Sequence, residues 1–67
     1  MRAFHVGDRF TSKNVKAIVE VRWVDPRDRT CAVVFNVANQ FEDETVFAAD
    51  FLEHWTLLEE DRQTLAA

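Results

Sequence analysis

Residues 16–38 decide the fold, and they read KAIVEVRWV, then DPRDR, then TCAVVFNVA. Two runs rich in β-branched and aromatic residues flank a short polar segment that contains a proline, which predicts a β-hairpin. Pro26 follows Asp25 at a position where a type I turn accepts proline. The loop has no glycine, so a tight two-residue turn of the primed types is not expected.

The alternation of apolar residues along the two predicted strands indicates a register. Side chains alternate between the two faces of a strand. Trp23 is predicted to face Cys31, and Val21 to face Val33, which brings both apolar rows to one side of the hairpin. The predicted core row is Ala17, Val19, Val21, Trp23, Cys31, Val33, Phe35 and Val37. The predicted outer face carries Ile18, Val24 and Val34 among charged residues.

The segments around the hairpin predict further strands. Gly7 is the only glycine and precedes a first strand that starts at Arg9. A turn at residues 39–40 leads into residues 41–49, where Glu44, Val46 and Ala48 share one face of a third antiparallel partner.

Residues 50–58 change to helical spacing. Phe51, Leu52, Trp55 and Leu58 recur as on one face of a helix. Asp50 is predicted as the N-cap, with Glu53 as its partner in a capping box. Residues 57–59 either close the sheet as a strand or continue the helix.

Length and composition indicate one small domain over residues 1–67, with a frayed tail at 63–67. A hydrophobic content of 48% is ample for a compact core. A single cysteine forms no internal disulfide and no apolar run approaches the roughly 20 residues that span a bilayer, so a cytoplasmic protein without membrane contact is expected.

Charge is distributed unevenly along the chain. Residues 1–38 carry seven basic and four acidic side chains, a net +3, whereas residues 39–67 carry one basic and eight acidic side chains, a net −7. An acidic surface repels nucleic acid and favours basic partners. The candidate partner-binding residues are Glu42, Asp43, Glu44, Glu59, Glu60, Asp61 and Trp55.

The order of motifs resembles Tudor-type domains within the SH3-like barrels. The motifs are VGDRF at 6–10, AIVEV at 17–21, TCAVVF at 30–35, ETV at 44–46 and DFL at 50–52. The resemblance covers residues 4–58. It implies a mainly β, SH3-like antiparallel barrel of four or five strands, with a short helix near the C-terminus.

One property of the family is not carried over to this chain. Tudor domains that bind methylated side chains use a cage of aromatic residues. This sequence has no tyrosine, and residues 11–14, which precede the hairpin, contain no aromatic residue.

The residues that most often carry chemistry form no recognised pattern. His5, His54 and Cys31 do not have zinc-ligand spacing. Asp50 and His54 are four residues apart, which is more typical of a surface pair than of a metal site. No paired-acid or phosphate-loop motif is present, so neither an enzyme nor a cofactor is expected. Trp23 and Trp55 are predicted as core residues, with a half-exposed binding anchor as the alternative for either.

Two functions are consistent with these features. The first is a small protein–protein interaction module that uses the acidic surface, with the profile of an inhibitor or accessory protein of phage or bacterial origin. The alternative is a nucleic-acid-binding barrel that uses Arg22, Arg27 and Arg29 around the hairpin loop. Weak self-association through an unpaired strand edge is also expected.

Overall fold

The computed structural model of the protein describes residues 3–58 and contains a single antiparallel sheet. Its elements in chain order are β1 (Arg9–Ser12), β2 (Ile18–Val24), β3 (Cys31–Asn36), β4 (Asn39–Phe47), α1 (Ala48–His54) and β5 (Trp55–Leu57). The sheet has five strands in the order β4-β3-β2-β1-β5. A mainly β protein of four or five antiparallel strands with a short helix near the C-terminus is therefore confirmed. The sheet is open, with β4 and β5 at its edges, and no closed barrel is seen in the described part.

The predicted hairpin is present, but its register is wrong. Val21 pairs with Val34 rather than Val33, and this shift of one residue makes Val34 a core residue with 2% exposure, although the sequence placed it on the outer face. A bulge at Arg22 then places two residues of β2 opposite one of β3, so Trp23 pairs with Val33 rather than Cys31. The bulge reverses the alternation of β2.

The bulge also places Trp23 on the outer face of the sheet. Trp23 is 48% exposed, so the prediction that it lies in the core is wrong. Cys31 and Phe35, also predicted in the core row, are only partly buried, and they alternate with the buried Ala32 and Val34 along β3. Sequence alternation alone does not locate a bulge, since odd-numbered and even-numbered residues of β3 both include apolar side chains.

The core is built around three phenylalanine rings. Phe4, Phe10 and Phe51 meet edge to face, with ring centroids 5.0–5.8 Å apart. Trp55 extends the cluster by stacking on Phe51 at 5.4 Å with parallel rings. Such aromatic pairs add to the free energy gained by burying the rings. Beside this cluster pack the other buried side chains of the core, which are Val19, Val21, Ala32, Val34 and Ala48.

The turn between β3 and β4 lies two residues earlier than the sequence indicated. Asn39 already pairs with Asn36, so Val37 and Ala38 form the turn. The Asn36 side chain favours this position, because its amide oxygen accepts a hydrogen bond from the Ala38 N–H at 2.8 Å. The next pair is Phe35 with Asp43, which leaves residues 40–42 outside the β3–β4 register.

Helix α1 starts at Ala48, and Asp50 is not its N-cap. Phe47 occupies the cap position and makes no side-chain cap hydrogen bond. The first N–H group of the helix needs no side-chain cap, because the Ala48 N–H donates to the Thr30 carbonyl at 2.8 Å. This hydrogen bond continues the β3–β4 pairing into the helix. Asp50 lies in the first turn, where a carboxylate interacts favourably with the helix dipole.

The sequence left residues 57–59 either as a closing strand or as a continuation of the helix, and the structure has a strand, β5, that includes Leu57. The chain leaves the helix at Trp55 and pairs with β1 through Leu57, which lies opposite Phe10. Leu58 continues this pairing by donating its N–H to the Arg9 carbonyl at 2.8 Å. Glu59 and the predicted tail at 63–67 lie outside the described residues.

Candidate functional site

A groove of about 410 Å³ lies on the same side of the sheet as the core. The apolar part of its lining comes from Val15, Ala17, Val19, Val34 and Phe35. Asn36 lies at its polar end. Glu42, Glu44 and Trp55 line the groove as well. β4 and β5 are opposite edges of the sheet, yet residues of both line this one groove. The sheet is therefore strongly curved, and the groove lies between its two edges.

The carboxylates of the groove come from the edge strand β4. Glu44 pairs with Val34, which places it on the core side of the sheet, and it shares this face with Val46 and Ala48 as the alternation predicted. Both Glu42 and Glu44 are exposed. Neither has a cationic partner within 4 Å in the described part of the chain. Two uncompensated carboxylates beside an apolar surface create a negative potential along the groove.

Among the described residues, Asp43, unlike Glu42 and Glu44, forms an ion pair with an arginine. Its carboxylate accepts a hydrogen bond from the Arg22 Nε at 3.0 Å. The same guanidinium donates to the Gln40 carbonyl at 2.7 Å and lies over the Phe35 ring at 4.0 Å. Arg22 thus ties β2 to the start of β4 and supports the strand that carries the groove acids.

Trp55 is positioned by its place between α1 and β5. The sequence placed it on the apolar face of a helix, whereas it is the first residue of β5 and lies opposite Ser12 of β1. Its backbone N–H donates to the Phe51 carbonyl at the end of the helix. The half-buried indole is held by the stack on Phe51 and also lines the groove, which agrees with the alternative of a half-exposed anchor.

The structure brings together four of the residues that the sequence singled out for partner binding. Glu42, Asp43, Glu44 and Trp55 line one groove, although residues 44 and 55 are far apart along the chain. Glu59, Glu60 and Asp61 lie outside the described residues, and their part in the surface stays a prediction.

The sequence reasoning missed the apolar part of the groove, because the predicted register placed Val34 on the opposite face. The spacing of Glu44 from Val46 and Ala48 was the available signal, since it set Glu44 on the same face as these two apolar residues.

The three arginines of the alternative hypothesis do not form one cluster. Arg22 is directed towards β4 by its contacts with Asp43 and Gln40. Arg27 and Arg29 are exposed in the turn between β2 and β3. A nucleic-acid surface on this hairpin stays a prediction.

Aspartates fix the backbone of that turn. The Arg27 N–H donates to the Asp25 carboxylate at 2.8 Å. The Thr30 hydroxyl and N–H both donate to the Asp28 carboxylate, and these two hydrogen bonds lower the pKa of Asp28. The Asp28 carboxylate therefore stays ionised within the basic loop and offsets part of its positive charge.

A second hollow of about 570 Å³ lies beside the groove, at the start of β2 and the end of β3, and shares Ala17 and Asn36 with it. Lys16, Ile18 and Val37 contribute to its lining, which includes no acidic residue. It is larger than the groove but has a single charged group, and so it offers little basis for selecting a charged partner.

Residues 3–58 contain neither a metal-binding cluster nor a helix that could span a membrane. That region contains no group of three or more His, Cys, Asp or Glu side chains placed to hold a metal ion. His54 lies 4.0 Å from the Glu53 carboxylate, and Cys31 is a free, partly buried thiol opposite Phe47. No helix in that region is long and apolar enough to cross a bilayer.

Comparison of the chain with family models, with curated proteins and with solved structures gives no match.

Proposed function

We propose that the protein is a small, non-enzymatic interaction module whose acidic groove binds a basic segment of a partner protein. The observation that carries this proposal is a pair of carboxylates, Glu42 and Glu44, that have no cationic partner within residues 3–58 and lie beside an apolar surface and the half-buried Trp55. An accessory or inhibitor protein acts in this way, by occupying a basic surface of another protein.

The chemistry of the groove matches lysine and arginine better than other side chains. Their charged groups pair with carboxylates, and their aliphatic stems pack on apolar surface such as that of Val15, which lines the groove and is 54% exposed. Tryptophan is enriched among the residues that contribute most to binding energy at protein interfaces. The rigid stack of Trp55 on Phe51 lowers the entropy lost when a partner covers the indole.

The fold that we propose for this module is the SH3-like barrel of Tudor type. The opening at Gly7 and Asp8, the central hairpin, the fourth strand and the helical turn before a last short strand support it. The groove between the two sheet edges is consistent with a barrel that is incompletely closed.

Charge reversal in the groove tests the proposed function. The probe is a fluorescein-labelled synthetic peptide of nine residues in which Arg and Thr alternate. Glu42→Lys combined with Glu44→Lys replaces two attractions by two repulsions, and we expect the affinity measured by fluorescence anisotropy to fall about tenfold or more. Added salt is expected to weaken binding to the wild-type protein.

The matched control makes the same charge change on α1, whose residues do not line the groove. Asp50→Lys combined with Glu53→Lys alters two exposed carboxylates of α1 and gives the same net charge. We expect this variant to bind the peptide within about threefold of the wild type, because exposed charges outside an interface contribute little. Equal losses in the two double variants would show that net charge alone attracts the peptide and would refute binding in the groove.

A further inference from the structure

The edge of β4 that faces away from β3 has unused backbone hydrogen-bonding groups. β4 pairs with β3 on one side, and no strand of the described residues pairs with its other side. Proteins commonly protect such edges with charged side chains, above all lysine, with proline, with a bulge or with a covering element, because an exposed edge pairs readily with another strand. The charged side chains of β4 are all acidic, so they oppose an acidic strand but not a basic one. β4 has neither lysine nor proline in its nine residues.

The register identifies which backbone groups are free. Hydrogen-bonded and non-hydrogen-bonded residue pairs alternate in an antiparallel ladder. Ala48 donates its N–H to the Thr30 carbonyl, so Val46 and Glu44 also bond to β3. The N–H and C=O groups of Asp43, Thr45 and Phe47 therefore point away from the sheet, over a length of about 13 Å.

The side chains of β4 determine what kind of strand fits. Glu44 is on the groove side of the sheet, whereas Thr45 and the 54% exposed Phe47 are on the other side. A strand added to this edge extends both faces of the sheet. Its residues on the groove side lie beside the uncompensated carboxylates, and those on the outer side lie beside Thr45 and Phe47.

A second copy of the chain fits this edge poorly. Antiparallel self-pairing over the regular part of the edge centres on Thr45 and opposes Glu44 to Val46, and Asp43 to Phe47. This pairing sets each carboxylate against an apolar side chain and supplies no cation. Each copy also carries a net charge of −4, which opposes association.

We infer that the basic segment of the partner binds as an added strand on the edge of β4, with Lys or Arg at every second position on the groove side. This inference rests on the proposed function and specifies its mode. Backbone hydrogen bonds to Asp43, Thr45 and Phe47 give affinity that does not depend on the partner's side chains. The alternating cations give specificity through Glu42 and Glu44.

Backbone methylation of the alternating Arg-Thr peptide tests this mode. In antiparallel addition the residues opposite Asp43, Thr45 and Phe47 are the Thr positions, so their N–H groups donate to β4 and those of the Arg positions do not. We expect N-methylation of the Thr residues to weaken binding about tenfold or more, and N-methylation of the Arg residues to change it less than about threefold. The two peptides carry identical charge.

A protein variant tests the same mode independently of the peptide. Thr45→Pro removes the central free N–H, and residue 45 makes no hydrogen bond to β3, so an edge proline is tolerated there. We expect a tenfold loss of peptide affinity with an unchanged circular dichroism spectrum. If this variant does not fold, the two methylated peptides decide the question.

The outcomes separate this inference from the proposed function. Equal binding of both methylated peptides, together with loss on charge reversal in the groove, would overturn strand addition and leave the acidic groove as the binding site. Unchanged binding by the Glu42→Lys and Glu44→Lys double variant would instead overturn the proposed function. A wild-type dimer that Thr45→Pro dissociates, with no peptide binding, would show that a second copy occupies the edge and would overturn the inference.

Discussion

Replacement of Val34 by Asp is expected to unfold the protein. Val34 is 2% exposed and pairs with Val21 in the core and with Glu44 on β4. A carboxylate buried there has no cation beside it and faces a second carboxylate, which costs about 3–5 kcal/mol. A chain of this size has a free energy of unfolding of only about 3–10 kcal/mol. The far-ultraviolet circular dichroism spectrum and the thermal melt of the variant measure the loss of folded structure.

Val33→Asp is the matched control, because it makes the same substitution one residue earlier in β3. Val33 is partly buried on the outer face, opposite Trp23 and Thr45. We expect this variant to fold, with a loss of about 1 kcal/mol from the lower strand propensity of Asp. The register read from sequence alternation predicts the opposite order. Unfolding by Val33→Asp together with a stable Val34→Asp protein would show that Val33, and not Val34, lies in the core opposite Val21.

Replacement of Phe51 by Ala is expected to have the second-largest effect on stability. Its ring contacts Phe4, Phe10 and Trp55, so its removal leaves a cavity at the centre of the aromatic cluster. A buried Phe→Ala substitution costs about 3–5 kcal/mol. Denaturant unfolding followed by circular dichroism measures the change as a lower midpoint at an unchanged slope.

Phe47→Ala provides the control for Phe51→Ala. Phe47 precedes the same helix, and 54% of it is already exposed to solvent. We expect a loss of about 1 kcal/mol or less, because little apolar area leaves the core. Equal losses for the two substitutions would contradict an aromatic core centred on Phe51.

The strands were predictable from the sequence because β-branched runs and turn residues mark them locally. The face of each strand was predictable only where the alternation is unbroken. Glu44, Val46 and Ala48 were correctly assigned to one face, whereas Trp23 and Val34 were assigned to the wrong faces. Odd-numbered and even-numbered residues of β3 both include apolar side chains, so the predicted and the observed registers both satisfy the hydrophobic pattern. A bulge, which inserts one residue into the pairing of two strands, leaves no mark in that pattern.

Some residues of the candidate site were predictable from the sequence, but their proximity in the folded structure was not. A run of acids at 42–44 and a large aromatic residue at Trp55 are visible in the sequence. Their presence in one groove depends on the curvature of the whole sheet, which brings residues of its two edges together. Curvature accumulates from the twist of every strand and from the bulges, and no local motif encodes it.

The most direct test of the account is the location of a bound basic peptide. Nuclear magnetic resonance spectra of the nitrogen-15-labelled protein are recorded while the alternating Arg-Thr peptide is added. We predict the largest shift changes at the backbone amides of Asp43, Thr45 and Phe47 and at the indole N–H of Trp55, with the amides of the turn at residues 25–30 unchanged. Changes centred on that turn, or no change at saturating peptide, would contradict an acidic groove as the binding site.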